Sequence, residues 1–141
     1  MSLKVKYDVQ DLQTIAHFEK MTRARLKDYL IFGEKAFFVV DKGSLQKALG
    51  PDKKHVAKFE ELLKKKIKVI EYTADESRFI KNVFSPLKVV SLEKDDEGVV
   101  TITGPDQKTK GLMIGAKAQN LRMYEQIVQK YYPEIKEIKI V

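Results

Sequence analysis

A short pattern of one glycine followed by regularly spaced apolar residues occurs twice in this 141-residue chain. The copies begin at Gly50 and Gly115, and counted from each glycine the apolar positions match one for one. They are Val56, Phe59, Leu62 and Leu63 in the first copy and Leu121, Tyr124, Ile127 and Val128 in the second. Spacings of three and four residues are typical of one face of a helix. The chain is therefore predicted to contain the same structural motif twice, a glycine turn followed by an amphipathic helix.

A glycine turn that leads into a helix suits contact with phosphate. The first turn of a helix presents N–H groups without an intrahelical acceptor, and the helix dipole places positive potential at the same end. The formal net charge of +7 fits an anionic partner. An excess of lysine on a small domain favours nucleic acid, although a solvated lysine-rich surface gives the same count.

Several other classes of protein are disfavoured by the composition. The chain has no cysteine, which excludes disulfides and thiolate metal sites. No apolar run approaches the roughly 20 residues of a membrane-spanning helix, and the N-terminus lacks an apolar signal core, so we expect a cytoplasmic protein without a membrane partner. His17 and His55 have no metal-ligand spacing around them, and we expect no metal and no cofactor. Without a P-loop, a nucleophile elbow or a histidine–carboxylate spacing, no enzyme is expected.

Local patterns in residues 1–73 predict the order α-β-β-α-α-β. The first helix follows from Val9, Leu12, Ile15, Phe18 and Met21, with Asp8 or Asp11 as its cap. The elements after it are strands over 23–31 and 36–40, a short helix over 44–49, a longer helix over 54–63 and a closing strand over 67–72.

The same order is predicted again over residues 74–141. Thr73 and Glu76 have the spacing of a capping box for its first helix, which Pro86 stops. The elements after it are strands over 87–92 and 99–103, a short helix over 110–114, a long helix over 118–132 and a final strand over 135–141. The predicted fold class is α+β with layers of the α/β type, in two domains, 1–73 and 74–141, each with a three-stranded sheet packed on helices.

Four segments accompany the doubled order and the two glycine turns. They are Phe18–Thr22 leading into Ala24 and Arg25, Phe37–Val40, Val69–Tyr72 and Phe79–Pro86. Together these features resemble a tandem pair of type II KH domains, with the turns standing where KH domains carry a G-x-x-G loop. Over nearly its whole length the chain is similar to the archaeal NusA-like transcription factors. The resemblance implies RNA binding by a factor that acts in transcript elongation, termination or antitermination.

Both turns depart from G-x-x-G at the second glycine. The fourth position is Lys53 in the first turn and Ala118 in the second, and a Cβ there obstructs the close approach of a sugar-phosphate backbone. Pro51 also lacks an N–H group, and Asp52 brings negative charge to the first turn. The second turn keeps its N–H groups and offers Lys117 as a cation. We therefore expect the first unit to attract RNA at long range and the second to hold it in register.

Charge and position select the candidate RNA-contacting residues. From Lys42 to Lys66 the chain has eight lysines against three acidic residues. The candidates are Lys47, Gly50, Lys53, Lys54 and Lys58 in the first unit, and Lys110, Gly115, Ala116, Lys117, Gln119, Asn120 and Arg122 in the second. Helix capping is the alternative role for Gln119 and Asn120, and simple solvation is the alternative for Lys58 and Arg122. Tyr124 is expected in the core rather than stacked on a base.

Single-stranded RNA is the expected partner, at about four nucleotides for each unit. RNA polymerase is a further candidate partner, and the chain is expected to be a monomer. The rival interpretation is an interaction protein of RNA polymerase or the ribosome whose degenerate loops have lost RNA binding. The missing second glycines favour the rival, whereas the basic charge and the intact Gly115–Lys117 segment oppose it.

Overall fold

The element order α-β-β-α-α-β occurs twice in the computed structural model, which describes residues 2–141. The chain divides into a first unit up to Thr73 and a second unit from Ala74. The first unit contains α1 (Val9–Thr22), β1 (Leu26–Phe32), β2 (Lys35–Val40), α2 (Leu45–Leu49), α3 (Lys54–Leu63) and β3 (Lys66–Glu71). The second contains α4 (Glu76–Phe84), β4 (Ser91–Lys94), β5 (Val99–Thr103), α5 (Gln107–Ile114), α6 (Gln119–Tyr131) and β6 (Glu137–Ile140). The predicted α+β class is confirmed.

Each unit has a three-stranded sheet with its second strand in the middle. In the first unit β2 runs antiparallel to β1 and parallel to β3, and in the second β5 relates to β4 and β6 in the same way. A parallel pair needs a long crossover, which α2 and α3 or α5 and α6 provide. This crossover contains the glycine turn, so the topology fixes each turn between two helices that lie against a sheet.

An aromatic cluster forms the core of the first unit. The ring of Phe38 in β2 stacks on Phe18 of α1 at a centroid distance of 4.0 Å and on Tyr29 of β1 at 4.9 Å. Phe59 of α3 completes the cluster, 5.5 Å from Phe38. These side chains are at most 2% exposed, so α3 is held against the sheet by its buried face.

The repeated apolar positions after the two glycines face the core with one exception. Leu62 in α3 is 53% exposed, whereas Ile127 at the matching position of α6 is fully buried. Tyr124 is half-buried and packs against Phe84 with ring centroids 4.9 Å apart, as expected of a core residue. The remaining matched positions are buried or packed against the core: Val56, Phe59 and Leu63 in α3, and Leu121 and Val128 in α6.

The predicted capping box at Thr73 is wrong. Thr73 is buried, and the N-cap of α4 is Asp75, whose side chain accepts a hydrogen bond from the backbone N–H of Arg78. Pairing with β2 extends to Tyr72, whose N–H donates to a carbonyl of that strand. Thr73 therefore comes too soon after the strand to start a helix, and Glu76 is the first helical residue rather than the third.

Three predicted boundaries in the second unit are also wrong. The strand predicted over 87–92 occupies Ser91–Lys94, because pairing with β5 starts only where the N–H of Val90 donates to Thr103. The short helix predicted from Lys110 begins at Gln107, because the Asp106 side chain caps it. The last strand covers only Glu137–Ile140. Within residues 2–141, no helix is long and apolar enough to cross a membrane.

A glutamate on the long helix of each unit is bonded to the last strand of that unit. Glu60 Oε2 accepts from the Ile67 N–H at 3.0 Å, and Glu125 Oε2 accepts from the Ile138 N–H at 2.8 Å. Both glutamates stand ten residues after the loop glycine. Glu125 is buried. Each carboxylate thus ties the helix that follows the loop to an edge strand of the sheet.

We predict that Glu125→Ala destabilises the second unit by about 2 kcal/mol, because it leaves the Ile138 N–H without its charged acceptor. Glu125→Gln keeps an acceptor oxygen and is expected to lose less. Urea unfolding measures both changes, and hydrogen exchange of the Ile138 amide reports the bond directly. The control is Glu93→Ala at an exposed position of β4, which should stay within about 0.5 kcal/mol of the native chain. Equal stabilities for Glu125→Ala and the control would refute the bond's role.

Candidate nucleic-acid interface

The two glycine turns have the same hydrogen bonds. The first loop, Gly50–Lys53, ends α2, and the second loop, Gly115–Ala118, ends α5. The glycine N–H donates to the carbonyl four residues earlier, at 3.0 Å in the first loop and 2.8 Å in the second. The N–H of the fourth loop residue donates back to the glycine carbonyl, at 3.2 Å in both. Different sequences thus form one loop structure.

The backbone angles of the two loops also agree. Gly50 has φ 73° and ψ 174°, and Gly115 has φ 74° and ψ 173°. The third and fourth residues of each loop are left-handed, with φ between 53° and 60° although none is glycine: Asp52, Lys53, Lys117 and Ala118. A left-handed residue with a Cβ costs about 1–2 kcal/mol. The loops therefore keep a conformation that favours glycine at the position where both have lost it.

A side chain five residues after each glycine makes a hydrogen bond across the loop. His55 Nδ1 lies 3.0 Å from the carbonyl oxygen of Lys47, and Asn120 Nδ2 donates to that of Leu112 at 3.1 Å. A carbonyl only accepts, so the Nδ1 of His55 carries the proton. Asn120 thus bonds to the last turn of the preceding helix, and this cross-loop hydrogen bond has the same position in both units. Contact of Asn120 with bases stays a prediction.

The cross-loop side chains also explain why the first loop residue has no Cβ. A Cβ on Gly50 would lie 2.7 Å from His55 Nδ1, and a Cβ on Gly115 would lie 2.7 Å from Asn120 Cγ. Real Cβ atoms essentially never come so close to another heavy atom. Glycine is therefore required twice at this position, by its positive φ and by the space that the neighbouring side chain occupies.

The loops differ in the backbone donors that they offer. In the second loop Ala116 and Lys117 are exposed, and their N–H groups have no acceptor within residues 2–141. We call these two groups the open amides of the second loop. The first loop has only the N–H of Asp52, since Pro51 has none. Successive open N–H groups at a loop form a site that suits one phosphate.

Four candidate lysines of the first unit are exposed and unpaired. None of them lies within 4.0 Å of a carboxylate in the described part of the chain. Lys54 and Lys58 are four residues apart on α3 and so lie on the same face. The four are Lys47, Lys53, Lys54 and Lys58. They surround the first loop and the helix that follows it, which makes this unit the more basic of the two sites.

The second unit has fewer available cations than the sequence indicated. Lys117 is exposed without a carboxylate partner between residues 2 and 141, but Arg122 Nη1 lies 3.1 Å from Glu125 Oε2. Lys110 stands in the first turn of α5, about 7.5 Å along the helix from Gly115, with its stem against Gly104. The residues that come together at this loop are Gly115, Ala116, Lys117, Gln119 and Asn120.

The tyrosines on and just after α6 are half-buried and pack on aromatic residues of the core. Burial raises the pKa of the Tyr124 hydroxyl above its ordinary value. Tyr131 and Tyr132 pack on Phe79, with ring centroids 5.2 and 5.8 Å away.

At the N-terminal end of α5, the N–H of Thr109 donates to Asp106 and lowers the pKa of that carboxyl group. Asp106 therefore stays charged as the cap of α5.

Sequence reasoning missed the role of His55 and the glutamates Glu60 and Glu125. A signal for them was present, since His55 and Asn120 recur at one distance from the glycine and the two glutamates at another. The polar matches mark the positions where a side chain bonds to the backbone in both units.

The amino-acid sequence is similar to those of several archaeal proteins. No family model matches it. It is 31% identical over 141 residues to "Probable transcription termination protein NusA" of Methanococcus vannielii, covering 99% of this chain and 81% of the relative. The protein of the same name from Methanocaldococcus jannaschii is 28% identical over 140 residues, covering 98% and 76%. That from Halococcus morrhuae is 25% identical over 130 residues, covering 92% and 93%.

A solved structure has the same fold. The crystal structure of APE1850 matches with a TM-score of 0.72 at 23% identity, covering 96% of this chain and 100% of that one. This match shows that the two chains share a fold. The sequence matches extend over nearly the whole length and agree with the resemblance carried by the doubled element order, the two glycine turns and the four segments named above. The chain belongs to the archaeal NusA-like protein family.

Proposed function

We propose that this chain is a non-catalytic transcription termination factor that binds single-stranded RNA through its two glycine loops. Its relatives carry the name of probable transcription termination proteins, and a factor of that kind has to meet the transcript. The observation that carries the proposal is the pair of loops with one backbone structure. The open amides at Ala116 and Lys117 and the unpaired lysines around the first loop support it, because N–H groups and cations are the groups that bind phosphate.

The two units are expected to contribute differently to one RNA complex. Lys47, Lys53, Lys54 and Lys58 supply attraction without directional contact, because flexible exposed lysines act mainly as point charges. The second loop supplies fixed donors, which set the register of a bound strand. Pro51 and Asp52 weaken the first loop as a donor site, since one lacks an N–H and the other repels phosphate. These differences support a model in which the first unit attracts RNA electrostatically and the second unit fixes the register of the bound strand.

The rival function is docking to RNA polymerase or a ribosomal component by a protein that no longer binds RNA. The loss of the second glycine favours it. Against it stands the left-handed backbone of Lys53 and Ala118, since a strained conformation held by its surroundings is typical of functional sites. RNA polymerase remains a proposed second partner, and antitermination a proposed alternative direction of the effect. The monomeric state, the cytoplasmic location and the absence of catalysis stay predictions.

The direct test is the binding of a short fluorescent single-stranded RNA, measured by anisotropy at several salt concentrations. Each neutralised phosphate lowers the slope of log K against log salt by about 0.7, so contacts from about five lysines predict a slope of roughly −3.5. Duplex DNA serves as the competitor. Absence of binding at low salt would favour the polymerase-docking rival.

Exchanging the chemistry of the two loops tests their division of labour. The matched backbones allow Pro51→Ala with Asp52→Lys in one variant and Ala116→Pro with Lys117→Asp in the other. The first variant gains a donor and a cation, so its RNA affinity should rise by about tenfold, and the second should lose at least as much. Thermal unfolding checks that both variants fold. Variants that bind RNA as the native chain does would contradict the loops as the contact site.

Restoring the second glycine separates strain from function. Ala118→Gly removes the Cβ at the point of close approach, so RNA affinity should rise by about two- to fivefold, with an added stability of up to about 1 kcal/mol. Lys64→Gly is the matched control, because Lys64 is also left-handed but ends α3 away from the loop. It should gain similar stability with RNA affinity within about twofold of the native value. The same affinity gain in both variants would argue against a specific effect at the loop.

A further inference from the structure

We infer that Asn120 is a positioning residue that keeps the Ala116 amide of the second loop available to phosphate. This inference rests on the proposed function, because it concerns the same loop and its RNA contact. It also assigns different importance to the two cross-loop hydrogen bonds, although they have the same geometry. The difference comes from the residue that follows each glycine, Ala116 in one loop and Pro51 in the other.

In each unit, the carbonyl that accepts the cross-loop bond is the one that would pair with the next backbone N–H if the helix before the loop were longer. Leu112 lies four residues before Ala116, so a further turn of α5 would pair the Ala116 N–H with the Leu112 carbonyl. Asn120 Nδ2 occupies that carbonyl at 3.1 Å, and the helix ends at Gly115. A carbonyl oxygen can accept a second hydrogen bond, but Gly115 has φ 74° and ψ 173°, which ends the helix and turns the Ala116 N–H away from Leu112. The Asn120 side chain, bonded to Leu112 and packed over Gly115, is the group that would hold the glycine in this conformation and so keep the amide open.

The first unit has no such competition. The carbonyl of Lys47 lies four residues before Pro51, which has no N–H to donate. His55 satisfies that carbonyl, with its Nδ1 at 3.0 Å, but α2 stops there with or without it. Proline in the first loop and asparagine in the second are therefore two means of ending a helix before a loop. Only the second leaves a donor at that position.

Removal of Asn120 has a defined structural consequence. Asn120→Ala frees the Leu112 carbonyl. It also opens the space over Gly115, which the Asn120 side chain fills so closely that a Cβ on Gly115 would lie 2.7 Å from Asn120 Cγ. Gly115 would have to change φ from 74° and ψ from 173° to helical values, a change that glycine accepts more easily than other residues. The Ala116 N–H can then donate to Leu112, which removes one of the two open amides from the phosphate site.

The experiment compares Asn120→Ala, Asn120→His and His55→Ala by RNA anisotropy and by amide hydrogen exchange. Asn120→Ala should weaken RNA binding by about fivefold, the effect of one lost hydrogen bond, with an unchanged salt slope because no cation is removed. Asn120→His should bind within about twofold of the native chain, since histidine makes this bond in the first unit. His55→Ala, the matched control, should also stay within about twofold.

Hydrogen exchange tests the mechanism without RNA. The Ala116 amide should exchange rapidly in the native chain and more slowly in Asn120→Ala, whereas simple loosening of the loop would leave it fast. Equal RNA affinities for Asn120→Ala and the native chain, or an Ala116 amide that stays fast in the variant, would overturn the inference while the proposed function stands. A native chain that binds no RNA would overturn the proposed function, and the role of Asn120 in RNA binding with it.

Discussion

The site depends on one constraint, which is that a helix has to stop at a glycine and a second helix has to start four residues later. The stop is enforced by the positive φ of Gly50 and Gly115 and by a side chain packed over each. The restart places two left-handed residues in succession, a backbone that exposes N–H groups. Both units satisfy this constraint with unrelated loop sequences, so the shape comes from the hydrogen bonds around the loop rather than from the second glycine of G-x-x-G.

Sequence patterns predicted the elements whose signals are local. α3 and β5 occur at the predicted residues, Lys54–Leu63 and Val99–Thr103, because helical periodicity and β-branched alternation are carried by neighbouring residues. The predicted cap at Thr73 failed because pairing with β2, remote in sequence, keeps the chain extended as far as Tyr72. A capping box read from two residues contains no information about a distant strand.

In the candidate site, too, features with a local signal could be predicted and features that depend on contacts made by folding could not. The loops and their exposed lysines follow from glycine spacing and charge, which are visible in the sequence. Arg122 does not, because its partner Glu125 is itself held by the Ile138 backbone in a strand that folding brings to the helix. Asn120 also bonds to a carbonyl across the loop, an arrangement that requires the turn to be formed first. Charge counts therefore overstate the cations of the second unit and understate its backbone donors.

The most direct measurement of the central claim is a titration of the isotope-labelled chain with short single-stranded RNA, followed by amide NMR. The account predicts that the Ala116 and Lys117 amides move downfield as they donate to phosphate, with smaller shifts around Lys54 and Lys58. Saturable binding that leaves the Ala116 and Lys117 amides unmoved and shifts other surfaces would contradict it.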